Sequence, residues 1–439
     1  MFEKLQKIFR PDQVSVSAQD SSFFNYDASR YEGSALCVVR PDSTEQIREL
    51  ILLGKRLNFT ITPRGSGTSL TGSSTPTGSV LLDMSYFNRI RVINLQDGWV
   101  EVEPYVTVDQ LNSILSQKGF FFPVIPSSHN AASLGGMAAT NASGSYSYRY
   151  GTMNDWVVGM DYFDGTGRAY YISENTHFKD LIGSEGCFGV ITKLRLKITK
   201  KPEKIAMGYY RFTNLKKLIN KLNNLEKSEF SQRMIAAEFI SRSAYTTNPA
   251  YELMIEYDIS DLELEKEPLV KKTFFDIFTK RDKETELKTT SESSRYPWSI
   301  FGEDITTMKN KRESLGSQVV ARGYSTMEDP KIPREGFYEF IRFCDERNVP
   351  LFGHIGTGIF HPNFRKTDTD KISDMFELVF KLSGKVSGEH GIGLDKRKYL
   401  TKDEKDAFSK LKQKYDPDYV LNPEKIVDKV SHFGAAGKN

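Results

Sequence analysis

Between residues 135 and 144 the chain reads GGMAATNASG, and Gly135, Gly136, Ala138, Ala139, Ala142 and Gly144 carry at most a methyl group. The run is too long for an ordinary hairpin. A series of such small residues lets a large, flat ligand lie directly against backbone. A fold that holds this chain must therefore present one stretch of nearly bare main chain to a ligand.

A second small-residue segment, PRGSGTSLTGSSTP at 63–76, sets three glycines among serines and threonines and follows an alternating strand pattern, FTITP. Glycines let consecutive N–H groups turn toward one anion, and hydroxyls add donors, so the loop suits a pyrophosphate. It lacks the Lys-Ser/Thr ending of a nucleoside triphosphatase loop and the glycine spacing of a dinucleotide-binding turn. On its own it also reads as a surface turn.

Around these loops the pattern is α/β. SALCVVRP, STEQIRELILLGKRL and FTITP predict strand, Ser-capped helix and strand over 34–62. SVLLDMSYF and RVINLQDGWVEVEPYVTV predict further strands, VDQLNSILSQKG a helix, and DWVVGMDYFDGTGRAYYIS a hairpin, with FGVITKLRLKITKKP closing the unit near Pro202. From 205 to 350 amphipathic helices such as NLKKLINKLNNLEKSEF alternate with strands such as AYELMIEYDI, and charge rises over 262–290, which predicts a second α+β domain.

The 439 residues allow two or three domains, and a net charge of +3 from 60 basic and 57 acidic residues asks for no nucleic-acid partner. Cys37, Cys187 and Cys344 form no paired motif, so a disulfide framework and a cysteine-held cluster are both excluded, and a reducing compartment, the cytoplasm, fits. The amino terminus is too charged for a secretory signal, and no apolar run approaches the ~18 residues of a membrane span, which leaves peripheral docking open. A homodimer is compatible with all of this.

Three of six histidines fall beside glycines in FGHIGTGIFHPNF and VSGEHGIG. Histidine and carboxylate with open positions suit a catalytic divalent metal, which makes His354, His361 and Glu389 a ligand set; hydrogen-bonded core histidines with an exposed glutamate are the other reading. In one straight strand His354 and His361 would face opposite ways, so the Gly356-Thr357-Gly358 stretch must reverse the chain. The following LDKRKYL has helical spacing and predicts a solvated helix.

Three motifs, PRGSGTSLTG, GGMAATNASG…YGTMNDWVVG and SEGCFGVITKLRLKI, in this order over 34–200, resemble the FAD-binding domain of the vanillyl-alcohol oxidase and para-cresol methylhydroxylase (PCMH) superfamily. With GHIGTGIFH and SGEHG the likeness is to its 2-hydroxyacid dehydrogenase branch, the D-lactate, D-2-hydroxyglutarate and glycolate-oxidizing members. The resemblance implies an α+β fold: an N-terminal helical arm (1–33), a two-part PCMH-type FAD-binding domain (34–202), an α+β cap with an antiparallel sheet (203–420), and a C-terminal segment returning to the flavin (421–439).

It further implies that Arg64, Gly65, Ser66, Gly67, Thr68 and Ser69 hold the FAD pyrophosphate. Gly135, Gly136, Asn141, Ala142 and Gly144 would line the flavin and its ribityl chain, Val190 and Ile191 would lie at the adenine or ribityl side, and Asn422 at the flavin edge. His354, His361 and Glu389 become ligands of Zn, Mn or Fe, His390 the general base and Arg312 the holder of the substrate carboxylate, with Arg322 and Lys311 as rivals. Many members carry Asp and Asn where this chain has Thr357 and Ile359. His129 stands as a solvated loop histidine or a covalent flavin link, and Arg149 and Tyr150 as packing residues.

The implied reaction is oxidation of a D-2-hydroxy acid of the lactate, glycolate, malate or 2-hydroxyglutarate class. Its hydroxyl proton goes to His390 and its α-hydride to flavin N5, and a quinone, cytochrome or protein takes the electrons. A sugar or alditol flavin oxidase and a non-catalytic flavin-binding subunit are the alternatives; the histidine and glutamate set argues against both.

Overall fold

The computed structural model describes the chain apart from residues 18, 20, 21, 30, 173–176, 247, 248, 263–295 and 427–439. His432 and most of the charge-dense stretch at 262–290 fall outside the described residues. Packing divides the chain into two units. The first holds Met1–Ala142, Thr152–Thr199 and Glu389 onward; the second holds Ser143–Gly151 and Lys200–Gly388. The resemblance put boundaries at 202/203 and 420/421. It gave no sign that nine residues after the small-residue run belong with the second unit, or that the return comes at Glu389.

In the first unit, Ser34–Val39 and Ile61–Arg64 flank Thr77–Asp83 in parallel, and Val14–Ser15 adds an antiparallel edge. Parallel strands need a crossover, which helix Thr44–Leu57 supplies. The Ser43 hydroxyl caps its first turn, accepting from the Gln46 amide, and Asn58 in the left-handed region ends it. Ile47, Leu50, Ile51 and Leu53 carry the inward stripe onto Val39, Ile61, Val80 and Leu82. Leu5 and Phe9 of the N-terminal arm are buried in the same core.

A second, antiparallel sheet of the same unit runs Ile90–Asn94, Trp99–Val102, Gly189–Lys197, Val157–Asp164, Ala169–Tyr170. Its core takes Val108, Leu111 and Leu115 from helix Val108–Ser116 and Leu134, Met137 and Ala138 from the small-residue helix Leu134–Thr140. The closing segment pairs with the first sheet: the Ile61 amide donates to Val420 at 2.7 Å and the Asn422 amide to Ile61 at 2.7 Å.

The second unit is built on one seven-stranded sheet, ordered Ile300–Phe301, Ile205–Phe212, Tyr251–Asp258, Met234–Ile240, Leu351–His354, Ile359–Phe364, Thr326–Met327. Each neighbouring pair is antiparallel. Its two faces differ in kind. Phe239 and Phe360 point to one, where they meet Phe337 and Phe340 of helix Phe337–Glu346. The alternate residues Glu238 and His361 therefore point to the other, which is covered by helix Glu303–Glu313 through Ile305 and Met308 against Met207, Tyr209, Met254 and Phe352.

Candidate active site

The strands Leu351–His354 and Ile359–Phe364 form a hairpin, with His354 opposite Ile359 and Phe352 opposite His361. Residues directly opposed across a strand pair share a face, so both imidazoles stand on the polar face. The reversal falls on Ile355–Gly358, where the Thr357 amide returns to the His354 carbonyl at 3.0 Å and Gly358 sits at φ +73°. The two rings lie 5.4 Å apart at 89°, and each offers a nitrogen within 4.8 Å of the other. Both histidines are buried, at 7% and 4% exposure.

Gly388 is fixed to the same hairpin. Its amide donates to the Asp329 carboxylate at 3.0 Å, and Ser387 Oγ donates to the same group. A Cβ on Gly388 would meet the Ile359 side chain at 2.7 Å, so only glycine lets the backbone lie on the face that carries His354. Glu389 is the next residue and begins the last segment of the first unit. There Glu389 and His390 are both partly buried, with a carboxylate oxygen 3.7 Å from His390 Nε2.

Sequence reasoning missed Glu238. It lies in MIAAEFI, a strand buried from end to end, and is 6% exposed. One oxygen meets His354 Nδ1 at 2.5 Å and the other Arg312 Nη2 at 2.9 Å. Burial pushes its carboxyl up, and the charges of His354 and Arg312 outweigh this and hold it below the usual range. A lone carboxylate in an apolar strand was the available signal, since such a residue is rarely left unpaired.

Arg312 is not on a solvated helix face. Lys309, Lys311 and Arg312 of one helix each meet a buried carboxylate: Lys309 Nζ lies 2.8 Å from Glu256, Lys311 Nζ 3.2 Å from Glu252, and Arg312 meets Glu238. Strand register puts Glu238 opposite Met254, between Glu252 and Glu256, so all three acids share the polar face. The guanidinium of Arg312 stacks 4.7 Å over Phe352, and its Nε is buried without a hydrogen bond among the described residues. Of the rivals, Lys311 is held by Glu252, and Arg322 donates to the Ala244 carbonyl at 2.9 Å.

In the first unit the two glycine segments meet. A Cβ on Gly65 would overlap the Ser133 hydroxyl that caps helix Leu134–Thr140, and one on Gly135 would overlap Pro104. Gly67, at φ +74°, folds over the Arg64 guanidinium, which donates to the carbonyls of Phe24 and Ser74. The Arg64 side chain thus supports the loop from beneath. Ser66 lies beside Tyr105, and Ser69 Oγ accepts the amides of Thr71 and Ser73, with Thr68 in the turn between. These bare amides and close-packed glycines fit a pyrophosphate and an extended planar ligand.

The remaining sites are placed as follows. Asn141 ends its helix at φ 51° and accepts the Asn154 amide, while Ala142 is buried beneath it. Gly144 falls in the second unit and accepts the Ser147 amide. Val190 and Ile191 turn their side chains into the two cores of the first unit. Asn422 donates to Ser73 and Glu185 carbonyls at 2.9 and 2.5 Å, which leaves its buried Oδ1 as an acceptor without a partner among the described residues. His129 pairs with Asp109 at 2.6 Å near the surface, the solvated arrangement, and Arg149 packs on Tyr150 while donating to Gln232.

LDKRKYL is not a helix. At its entry Gly393 donates to Glu185 at 2.8 Å and Leu394 to the Thr71 carbonyl at 2.9 Å, and the segment forms a short 3-10 turn, Arg397–Tyr399. Asp395 and Lys396 are buried, Asp395 accepting from Tyr31 at 2.8 Å.

Comparison with known proteins agrees with this arrangement. The FAD binding domain family matches residues 35–173, and the C-terminal domain family of FAD linked oxidases matches residues 309–426. The chain belongs to the FAD-linked oxidoreductases of the glycolate oxidase, D-lactate dehydrogenase and D-2-hydroxyglutarate dehydrogenase group. This oxidoreductase is 24% identical to glycolate oxidase subunit GlcD of Bacillus subtilis (strain 168), over 97% of this chain and 96% of that protein. It is 26% identical to the mitochondrial D-lactate dehydrogenase [cytochrome] of Arabidopsis thaliana, over 94% and 79%. It is 23% identical to D-2-hydroxyglutarate dehydrogenase of Stutzerimonas stutzeri (strain A1501), over 97% and 98%. A solved alkyldihydroxyacetonephosphate synthase shares the fold, with a TM-score of 0.68 at 17% identity over 97% of this chain and 84% of that one. The PCMH-type fold with α+β content is therefore the architecture of this enzyme.

Proposed function

We propose that this oxidoreductase converts a D-2-hydroxy acid to the 2-oxo acid with FAD and a divalent cation, Zn, Mn or Fe, held by His354, His361 and Glu389. The supporting observation is the buried imidazole pair on the hairpin, one ring of which meets the Glu238 carboxylate. A bound cation of this kind lowers the pKa of a chelated hydroxyl, and FAD supplies the hydride acceptor.

The chain's own residues do the rest. Arg312 binds the substrate carboxylate through Nε, the buried donor that has no hydrogen bond among the described residues, and a fork-shaped guanidinium fixes its orientation. His390 takes the hydroxyl proton. Gly65 and Gly135 let the two glycine segments pack closely, Gly65 against Ser133 and Gly135 against Pro104, and so shape the cradle for FAD, and Asn422 Oδ1 accepts a ligand N–H. Among the described residues no helix is long and apolar enough to cross a membrane. We place the enzyme in the cytoplasm, with a quinone, cytochrome or protein as acceptor.

The test is a purified protein with metal analysis, a flavin spectrum, and a panel of D-lactate, glycolate, D-malate and D-2-hydroxyglutarate with a dye acceptor. A colourless protein, or one whose flavin is bleached by none of the four, would sink the reading. His390→Asn should keep FAD and lose bleaching; bleaching at the parent rate would remove His390 as the base.

A further inference from the structure

We infer that Glu238 is a positioning residue that sets the tautomer of His354 and the direction of Arg312 with the two oxygens of one carboxylate. This rests on the proposed roles of His354 as a metal ligand and Arg312 as the carboxylate holder.

The argument begins with cost. Every residue of Met234–Ile240 is buried, and six of the seven in MIAAEFI are apolar, so an ionised group there is strongly disfavoured unless both oxygens are engaged. Both are. Oε1 faces His354 Nδ1 at 2.5 Å and Oε2 faces Arg312 Nη2 at 2.9 Å.

A carboxylate only accepts, so Nδ1 of His354 must carry the proton and donate it. In the neutral ring the lone pair is then on Nε2, the other nitrogen, and a metal ligand must present a lone pair. The reverse tautomer would set a lone pair against a carboxylate oxygen. On the other side, Glu238 and the Phe352 ring together hold the Arg312 guanidinium, one by charge and one by stacking. Phe352 is itself the cross-strand partner of His361. One buried strand residue therefore fixes one member of each half of the site, the half that binds cation and the half that binds anion.

Glu238→Gln separates this from a plain core role. The amide has one acceptor oxygen for two donors, and as His354 and Arg312 compete for it neither is held as in the parent. Metal affinity, read by competition with a fluorescent chelator on FAD-loaded protein, should fall about 10–100-fold, and KM for the accepted hydroxy acid should rise. Glu238→Gln with Arg312→Met removes the competing donor, so the amide oxygen is free to take the His354 proton. Metal affinity should return toward the parent value while KM stays raised. His354→Ala is the reference for the ligand role. If it loses the metal while Glu238→Gln binds it as tightly as the parent, the positioning role is overturned and the metal site stands. If the double variant recovers nothing, Glu238 acts only as packing and the inference again fails. If His354→Ala binds metal normally, the ligand reading falls and the inference with it.

Discussion

The Glu185 carboxylate accepts the backbone N–H of Gly393 at 2.8 Å, and its other oxygen accepts the N–H of Ile392 at 2.5 Å. Glu185 itself sits in the left-handed region at φ 53°, a conformation a non-glycine residue keeps only when its surroundings hold it. The Ser73 hydroxyl donates to the same carboxylate. The loop that begins at His390 is thus tied to the SEGCFG turn and to the glycine-rich loop by one buried group, whose carboxyl burial pushes upward. Glu185→Ala should leave one buried and one partly buried amide without their acceptor and cost about 2–6 kcal/mol, at about 1–3 kcal/mol each. Denaturant unfolding reads that loss. Turnover should fall with it, and Glu185→Gln should lie between, since its amide keeps one acceptor.

Gly65→Ala tests the cradle. The new methyl would overlap the Ser133 hydroxyl at the start of the small-residue helix, so loop and helix must separate. The expected result is a protein that folds and loses most of its FAD, seen as a fall in the ratio of flavin to protein absorbance. Full retention of flavin would show that the two glycine segments do not form one surface.

Lys309 carries a third prediction. Its ammonium lies 2.8 Å from the buried Glu256 carboxylate and donates to the Tyr146 hydroxyl at 2.7 Å. Removing one partner of a buried pair leaves an uncompensated charge, so Lys309→Met should destabilise by about 3–5 kcal/mol. Glu256→Gln in that background should recover most of the loss, because the amide needs no counter-charge. Urea unfolding of the four proteins gives the coupling directly.

These cases show where the sequence was readable. Gly65, Gly135 and the Gly356–Gly358 reversal are local requirements of the backbone, visible in a few residues. The odd spacing of His354 and His361 demanded the hairpin that forms. Glu238 was hidden because its partner stands 116 residues away and is chosen by the order of strands, which no local pattern states. The same holds for the run of Lys309, Lys311 and Arg312. On a helix wheel they read as a solvated face, and it is the register of Tyr251–Asp258 against Met234–Ile240 that raises three carboxylates to meet them. LDKRKYL had helical spacing, but the chain that enters it is tied by its Gly393 and Leu394 amides to Glu185 and Thr71, both far off in sequence.

Lys425, in the closing segment, gives a prediction with a pH signature. The side chain is 1% exposed, its ammonium donates to the Thr75 carbonyl at 2.8 Å, and burial brings its pKa down to about 8. In the unfolded chain the same amine titrates near ~10.4. Between these values the unfolded state holds more protons than the folded one, so stability rises with pH across that window. Below pH 8 both states are protonated, and keeping the ammonium buried costs roughly 3 kcal/mol relative to the neutral amine. Lys425→Met has no such group, and its stability should lack the rise. The stability of the variant minus that of the parent should fall by up to about 3 kcal/mol between pH 7 and pH 10.5, measured by denaturant unfolding at each pH. A difference that stays flat across the range would mean that the amine keeps its ordinary pKa in the folded protein.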